Sequence, residues 1–259
     1  MNFIQTIFLS IVEGITEFLP ISSTGHLILA SKLLNIPQTE FVKSFEIIIQ
    51  LGAVLAVVVI YFKKLVLSLN WDLYKKILIA FLPTIFFGLF AYDYIKKYLI
   101  GNSMVVVWSL LIGGIIMLLF ERFFRPNIRY TIYNIPTLQL IAVGLFQILS
   151  MIPGVSRAFA TIFGGMVVGM KKEEATEFSF LLAIPTMAAA SGLDLIKTDL
   201  SIWTNSNIIT LLIGFVVSFV VAYIVVKWLI KFVQSHNFNI FGWYRISLAL
   251  IFYIIYSWI

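Results

Sequence analysis

The residues best suited to chemistry sit where charge is least expected. Glu13, Glu17, His26 and Arg157 interrupt otherwise apolar runs. A charge at the centre of an inserted helix costs roughly 2.5–3.5 kcal/mol, so each is read as functional. Glu13 and Glu17 are spaced i, i+4 and share one helical face, one turn apart. Carboxylates that close repel unless a proton, a divalent cation or a basic side chain lies between them, which marks a metal-binding or proton-handling pair. Pro20 then breaks the run, and Ser22, Ser23 and Thr24 precede a new apolar helical stretch that starts with Gly25-His26. Hydroxyls there would cap that helix and leave its free N–H groups facing the break. The pattern recurs around Pro153, where Gly154 and Ser156 precede the run from Arg157.

A helix N-terminus binds anions through its amides and dipole, and two of them converging would cradle a phosphate. Arg157 adds a planar, permanently charged fork suited to phosphate oxygens; it could equally hold Glu17 when the site is empty. Thr161, one turn after Arg157, is expected to complete the anion site. His26 lies three residues after Ser23, within reach on a helical turn. Such a pair supplies either a serine nucleophile with its base or a histidine that is itself the nucleophile. Glu46 and Gln50 share a face and are read as support for the site. Glu177 and the Lys172–Glu173–Glu174 cluster are read as solvated interface. His236 falls in a loop and receives no role.

The elements that must position these groups follow from composition. The chain has 259 residues, 61% of them hydrophobic and 12% charged, with a mean hydropathy of +1.03. A soluble domain carries about 25% charged residues. Too little polar surface is present to cover a water-soluble globule, so a bilayer must be the solvent. This excludes a cytosolic enzyme and a nucleic-acid-binding module, and the absence of cysteine excludes disulfides and thiolate chemistry. No Gly-rich nucleotide loop and no zinc-ligand spacing is present. The N-terminus has no basic region or small-residue cleavage site, so no cleaved signal peptide is expected.

Six stretches can cross a bilayer, at about 45–62, 77–95, 104–120, 177–195, 208–230 and 240–258. Two others, about 3–34 and 138–169, are broken near their middles by Pro20 and Pro153, and their halves are too short to span. They are read as re-entrant hairpins, with irregular backbone tolerated only against protein or a wet cavity. Counting each hairpin as a return sorts the 18 Lys and Arg residues. Lys32, Lys43, Lys96, Lys97 and Lys197 fall on one side. The segments 63–64, 75–76, 122–129, 171–172 and 227–231, with Arg245, put twelve on the other. The richer side is then cytoplasmic and both termini face outward.

An offset of 133 superposes Pro20 on Pro153, Ser23 on Ser156, Phe45 on Phe178 and Lys64 on Lys197, and an offset of 131 pairs Ala91-Tyr92 with Ala222-Tyr223 and Lys96 with Lys227. Each half, about 1–125 and 134–259, would hold one hairpin and three crossings, an odd number, so the halves have opposite orientation. Such inverted repeats place their site near the midplane. The expected fold is therefore an all-α polytopic membrane protein in a single domain, with six spanning helices and two re-entrant hairpins.

The segments EGITEFLPISSTGHLIL at 13–29, FEIIIQLGAVLAVV at 45–58, PGVSRAFAT at 153–161 and EFSFLLAIP at 177–185 resemble the undecaprenyl-diphosphatase family of bacterial membrane enzymes linked to bacitracin resistance. The resemblance covers nearly the whole chain. It implies hydrolysis of undecaprenyl diphosphate to undecaprenyl phosphate and phosphate, recycling the carrier for peptidoglycan synthesis in the bacterial inner membrane. It also implies a divalent cation, Mg²⁺ or Ca²⁺, held with Glu13 and Glu17. Arg157 with Ser22, Thr24, Gly154, Ser156 and Thr161 would bind the diphosphate. Ser23 would be the nucleophile with His26 as base or acid, or His26 the nucleophile. An outward-opening site and a homodimer are further expectations.

One departure stands out: the family usually reads PGxSRSGAT, and Ala158-Phe159 replace Ser-Gly here. A bulky ring beside the break is expected to change local packing and backbone freedom. Type 2 phosphatidic acid phosphatases need a histidine shortly after their Ser-Arg motif, and no histidine occurs from 157 to 235. The competing functional class is a transporter or flippase of a polyprenyl phosphate, since broken helices in inverted repeats are carrier architecture.

Overall fold

A computed structural model describes residues 1–68, 70–99, 102–125, 127–199 and 202–258, with side chains except at 91–98 and 255–258. Lys96, Lys97 and the Ala91-Tyr92 pair fall among the side chains outside that description. Among the described residues the chain is built of α-helices, with no strand. In order they are α1 (Phe3–Thr16), α2 (Ser23–Leu33), α3 (Glu40–Ile60), α4 (Trp71–Tyr98), α5 (Ser103–Phe123), α6 (Thr137–Ile148), α7 (Arg157–Val167), α8 (Lys172–Lys197), α9 (Asn205–Ser235) and α10 (Asn239–Trp258). A π-helical turn, Lys63–Leu67, links α3 to α4, and a 3-10 turn, Leu149–Met151, follows α6.

The long helices run past the apolar windows because their ends are built from capping residues that belong at the headgroups. Asn102 and Thr204 accept from amides of the first turns of α5 and α9, and Thr39 does so for α3. Five helices, α3, α4, α5, α8 and α9, are long and apolar enough to cross a membrane. The last expected span is the 20-residue α10. The remaining four are too short. At 1.5 Å per residue α1 measures about 21 Å and α2 about 16 Å, against a hydrocarbon core of about 30 Å.

The short helices form hairpins whose ends meet. Gln5 at the start of α1 donates to the carbonyl of Leu34 just past α2, at 3.4 Å. The same end of the molecule holds the Ser44–Thr198 contact between the first turn of α3 and the end of α8, at 3.1 Å. The second hairpin opens at the other end. There the amide of Ile132, ahead of α6, donates to Glu174 at the start of α8 at 2.9 Å, and Lys64 pairs with Glu177. Phe238 N–H donates to Glu121 and Lys172 to the carbonyl of His236, so the α5–α6 and α9–α10 loops join that end too. Glu177 and Glu174 are therefore tied into the loops rather than freely solvated.

Helix packing is symmetrical only in part: α3 packs far more extensively on α9 than α4 does on α8, and α7 packs on α8 without a comparable contact between α2 and α3. The first hairpin lays α1 on α9, and the second lays α6 on α4; α3 meets α8 and α5 meets α10. Glycines permit these approaches. A Cβ on Gly144 would lie 2.2 Å from the carbonyl of Ala80, and one on Gly52 would lie 2.4 Å from that of Phe215. Backbone-to-backbone contact of this kind maximises dispersion where lipid offers no hydrophobic drive. Two sequence readings change. Arg245 is not a loop charge on the basic side: it is fully buried in α10. And the two breaks align at an offset of 134, not 133, because helices α2 and α7 are capped by Ser22 and Ser156.

Candidate active site

Each break ends in the same local structure. Ser22 has φ 72° and Ser156 φ 78°, left-handed values that a side chain seldom adopts. The Ser22 hydroxyl accepts from Gly25 N–H at 3.3 Å, and the Ser156 hydroxyl from Phe159 N–H at 3.2 Å. Two N-termini are thus capped alike, and strain of this kind persists only where the surroundings over-determine it. The breaks touch: Ser156 Oγ donates to the carbonyl of Leu19 at 3.5 Å.

At the first helical position the two differ, with Ser23 on α2 and Arg157 on α7. Glu17 joins them. One carboxylate oxygen accepts from Ser23 Oγ at 2.6 Å and the other from Arg157 Nη2 at 3.0 Å. All three side chains are buried. Arg157 Nη1 also donates to the Ser179 carbonyl at 2.9 Å, its Cζ lies 5.4 Å from the centroid of the Phe18 ring, and its Nε has no partner. A cavity of about 90 Å³ opens beside this group, lined by Glu17, Ser22, Ser23, Thr24, Gln50, Gly154, Ser156 and Arg157 among others.

Most of the sequence-expected residues converge here, but three stand behind the cavity wall. Thr161 bonds to Ser179 Oγ at 2.6 Å and to the Arg157 carbonyl at 2.8 Å, so it braces Arg157 instead of facing an anion. His26 is not hydrogen-bonded to Ser23. Its Nδ1 lies 2.7 Å from the Ser22 carbonyl and its Nε2 2.7 Å from the Tyr244 hydroxyl, with the two rings stacked. A carbonyl only accepts, so Nδ1 carries the hydrogen and Nε2 of the neutral ring accepts from Tyr244. The reason for the separation is helix geometry. Cβ vectors tilt toward the N-terminus, which aims Ser23 back at the break and at Glu17. Glu46 accepts from Ser31 at 2.7 Å, beyond the cavity that Gln50 lines.

Glu13 is the remaining case. It is fully buried, and neither carboxylate oxygen has a hydrogen-bond partner. Its counterpart at the 134 offset is Gln147, also fully buried, which donates to Thr84 at 2.7 Å. The counterpart of Thr84 is Ser218 on α9, buried and likewise without a partner. One half therefore closes its polar contact, and the other leaves a carboxylate and a hydroxyl open. An unpartnered buried carboxylate is too costly to keep unless something fills the gap. A hard divalent cation fits: Mg²⁺ is commonly held by one or two carboxylates plus phosphate oxygens and water. Among the described residues no group of three His, Cys, Asp or Glu gathers to hold a metal ion.

The family described as bacitracin resistance protein BacA matches residues 6–251. The chain belongs to that family. It is 50% identical over 251 residues to an undecaprenyl-diphosphatase of Aquifex aeolicus, covering 96% of each chain. A Sulfurihydrogenibium relative of that name is 47% identical over 263 residues, covering 99% of this chain and 100% of its own. One from Campylobacter jejuni is 42% identical over 259 residues, covering 99% and 95%. Against this family background the Ala158-Phe159 departure leaves the cavity lining intact. Phe159 is buried and turned away from it, its ring centroid 4.9 Å from Cζ of Arg245 and 4.6 Å from that of Phe163.

Sequence reasoning missed Ser179, Tyr244 and Arg245. Ser179 lies within the quoted EFSFLLAIP segment, which is the one signal that pointed near it.

Proposed function

We propose that this BacA-family protein is an undecaprenyl-diphosphate phosphatase, cleaving the terminal phosphate from the lipid diphosphate inside the bilayer. One observation carries the reading: Glu17 binds Ser23 with one oxygen and Arg157 with the other, between two capped helix N-termini. Arg157 and the α2 and α7 amides hold the diphosphate. Ser23 Oγ attacks the terminal phosphorus and passes its proton to Glu17. The bridging P–O bond breaks, and undecaprenyl phosphate leaves. Water then attacks the phosphoserine phosphorus, keeping one hydrogen on the new P–O bond and passing the other to a phosphate oxygen, while the Ser23 Oγ–P bond breaks, Glu17 returns its proton to Ser23 Oγ and dihydrogen phosphate is released. A divalent cation held with Glu13 and Glu17 would supply charge neutralisation on the transferred phosphoryl group. His26, held by the Ser22 carbonyl and the Tyr244 hydroxyl, steadies the first break from behind the cavity; a His26 nucleophile or proton carrier would have to leave the Tyr244 hydroxyl and turn into the cavity.

Relatives named as diphosphatases favour hydrolysis over transport. The hairpins opening at opposite ends and their matched packing, α1 on α9 and α6 on α4, support inverted repeats of about 1–125 and 134–259, with six crossings. The Lys- and Arg-rich end supports a cytoplasmic placement of the α3–α4 and α5–α6 loops. Termini then face outward in the bacterial inner membrane.

The test is phosphate release from undecaprenyl diphosphate by purified protein in detergent, with and without EDTA, beside Arg157→Ala. EDTA-sensitive release that disappears in the variant supports the reading. No release from folded wild-type protein would overturn it and return the transporter.

A further inference from the structure

We propose that Arg245 is a positioning residue that holds the two helix breaks in register and thereby sets the shape of the phosphate cavity; this rests on the phosphatase reading above. Arg245 has no exposed surface, yet among the described residues its guanidinium binds backbone carbonyls and no carboxylate. Nη1 donates to Pro20 at 3.1 Å and to Val155 at 2.9 Å. Nη2 donates to Gly154 at 2.9 Å and to Ser109 at 3.0 Å, and Nε to Leu110 at 3.4 Å. One side chain thus joins the first break, the second break and α5.

The bonding has a directional consequence. Every described peptide bond is trans, so each N–H points opposite the carbonyl of the residue before it. Holding the Val155 carbonyl turns the Ser156 amide away from Arg245, and Ser156 is a wall of the cavity. Pro20 and Val155 lie within two residues of the caps Ser22 and Ser156. The guanidinium therefore fixes both capped N-termini from behind without touching substrate.

Its own seat is built to match. A Cβ on Gly113 would fall 2.1 Å from Nη2 and 2.8 Å from Cζ, so only glycine leaves room for the fork. Phe159 covers the guanidinium at 4.9 Å. Lysine could not substitute, because a point charge with three donors cannot span five carbonyls in a plane.

Arg245→Lys keeps the charge but loses the fork, and Gly113→Ala keeps Arg245 but displaces its fork. Expected for each, with the fold checked by thermal unfolding, is a fall of about tenfold or more in kcat with KM within about threefold. The double variant should be no worse than Arg245→Lys alone, because both act through one contact. Amide hydrogen exchange should quicken over 18–24 and 152–158 in both variants, and that readout needs no activity. If Arg245→Lys does not fold, Gly113→Ala carries the test through the kcat/KM split and the exchange. Folded variants with wild-type kcat and unchanged exchange, or losses that multiply in the double variant, overturn the proposal. Wild-type protein that releases no phosphate overturns the functional reading instead, and the exchange result still decides the role of Arg245.

Discussion

Replacing Glu13 by Gln separates what that carboxylate does for function from what it does to the fold. Glu13 is fully buried with both oxygens unpartnered, and Ser218 on the neighbouring helix is also unpartnered. The Ser218 carbonyl lies 2.8 Å from where a Gly14 Cβ would sit, which places α9 directly against this stretch of α1. A glutamine there can imitate Gln147, which donates to Thr84 at 2.7 Å in the equivalent place. Leaving a buried polar group unsatisfied costs about 1–3 kcal/mol, and a formed hydrogen bond contributes about 0.5–1.5. Metal-free Glu13→Gln should therefore be more stable than wild type by about 1–3 kcal/mol. At about 2–4 °C per kcal/mol for a chain of this size, Tm in detergent with EDTA rises by about 2–12 °C. Adding Mg²⁺ should raise the wild-type Tm and leave the variant unmoved, since only the carboxylate gains a ligand. Activity should fall at least about a hundredfold in kcat/KM, about 2.7 kcal/mol of transition-state stabilisation. A variant less stable than wild type in EDTA, or one that still responds to Mg²⁺ in both Tm and rate, would refute the reasoning.

Four other outcomes are expected. Ser23→Ala should lower kcat by about a thousandfold or more while an undecaprenyl diphosphate analogue still binds, and a phosphorylated enzyme that persists in this variant would move the nucleophile to His26. Arg157→Lys should lose about a hundredfold or more in kcat/KM, because an ammonium cannot reach Glu17 and the Ser179 carbonyl together; near-normal kinetics would show that charge alone suffices. Tyr244→Phe removes the hydroxyl from His26 Nε2 and should reduce kcat by about tenfold with KM little changed, measured by phosphate release. Restoring the family residues with Ala158→Ser/Phe159→Gly should lower Tm, since a buried ring is lost at about 3–5 kcal/mol, yet leave KM within about threefold; a large KM change would mean that Phe159 reaches the cavity after all.

Which of these residues could be read in the sequence follows from where their partners lie. Glu17, Ser22, Ser23, Ser156 and Arg157 are legible because each sits in or beside a break that proline and hydroxyl residues announce, and, apart from the Ser179 contact of Arg157, their partners are other residues of the broken hairpins. The hairpins were legible for the same reason: a 14-residue helix cannot hide in a 30 Å core. Arg245 was not. It lies on the second turn of α10, where an arginine that snorkels to the headgroups and one that is fully buried look identical. Its partners are carbonyls, which every residue possesses, drawn from three distant segments. Ser23 and His26 show the opposite failure. Their spacing of three suggested a pair, but the side chain at the first helical position leans back across the break, and contact in space overrode closeness in sequence.

The two breaks share a local structure and divide the chemistry proposed for the site. At matched positions both carry a serine cap in the left-handed region, with the cap hydroxyl on the amide of the third helical residue. That shared part supplies what any anion site needs, whether in a carrier or in an enzyme. The differences begin one residue later. Ser23 stands where the other half has Arg157, and Glu13 stands where it has Gln147. One half thus contributes a hydroxyl and open carboxylate oxygens, and the other a fixed cation and a satisfied amide. Glu17 is the bond between them, holding the hydroxyl at 2.6 Å and the cation at 3.0 Å. A carrier gains nothing from this asymmetry, because charge compensation alone would be served by two arginines. A group-transfer site requires it, because the attacking oxygen and the charge that stabilises the transferred phosphoryl group must approach from different sides. On the proposed reading, hydrolysis uses the difference between the two breaks more than their likeness.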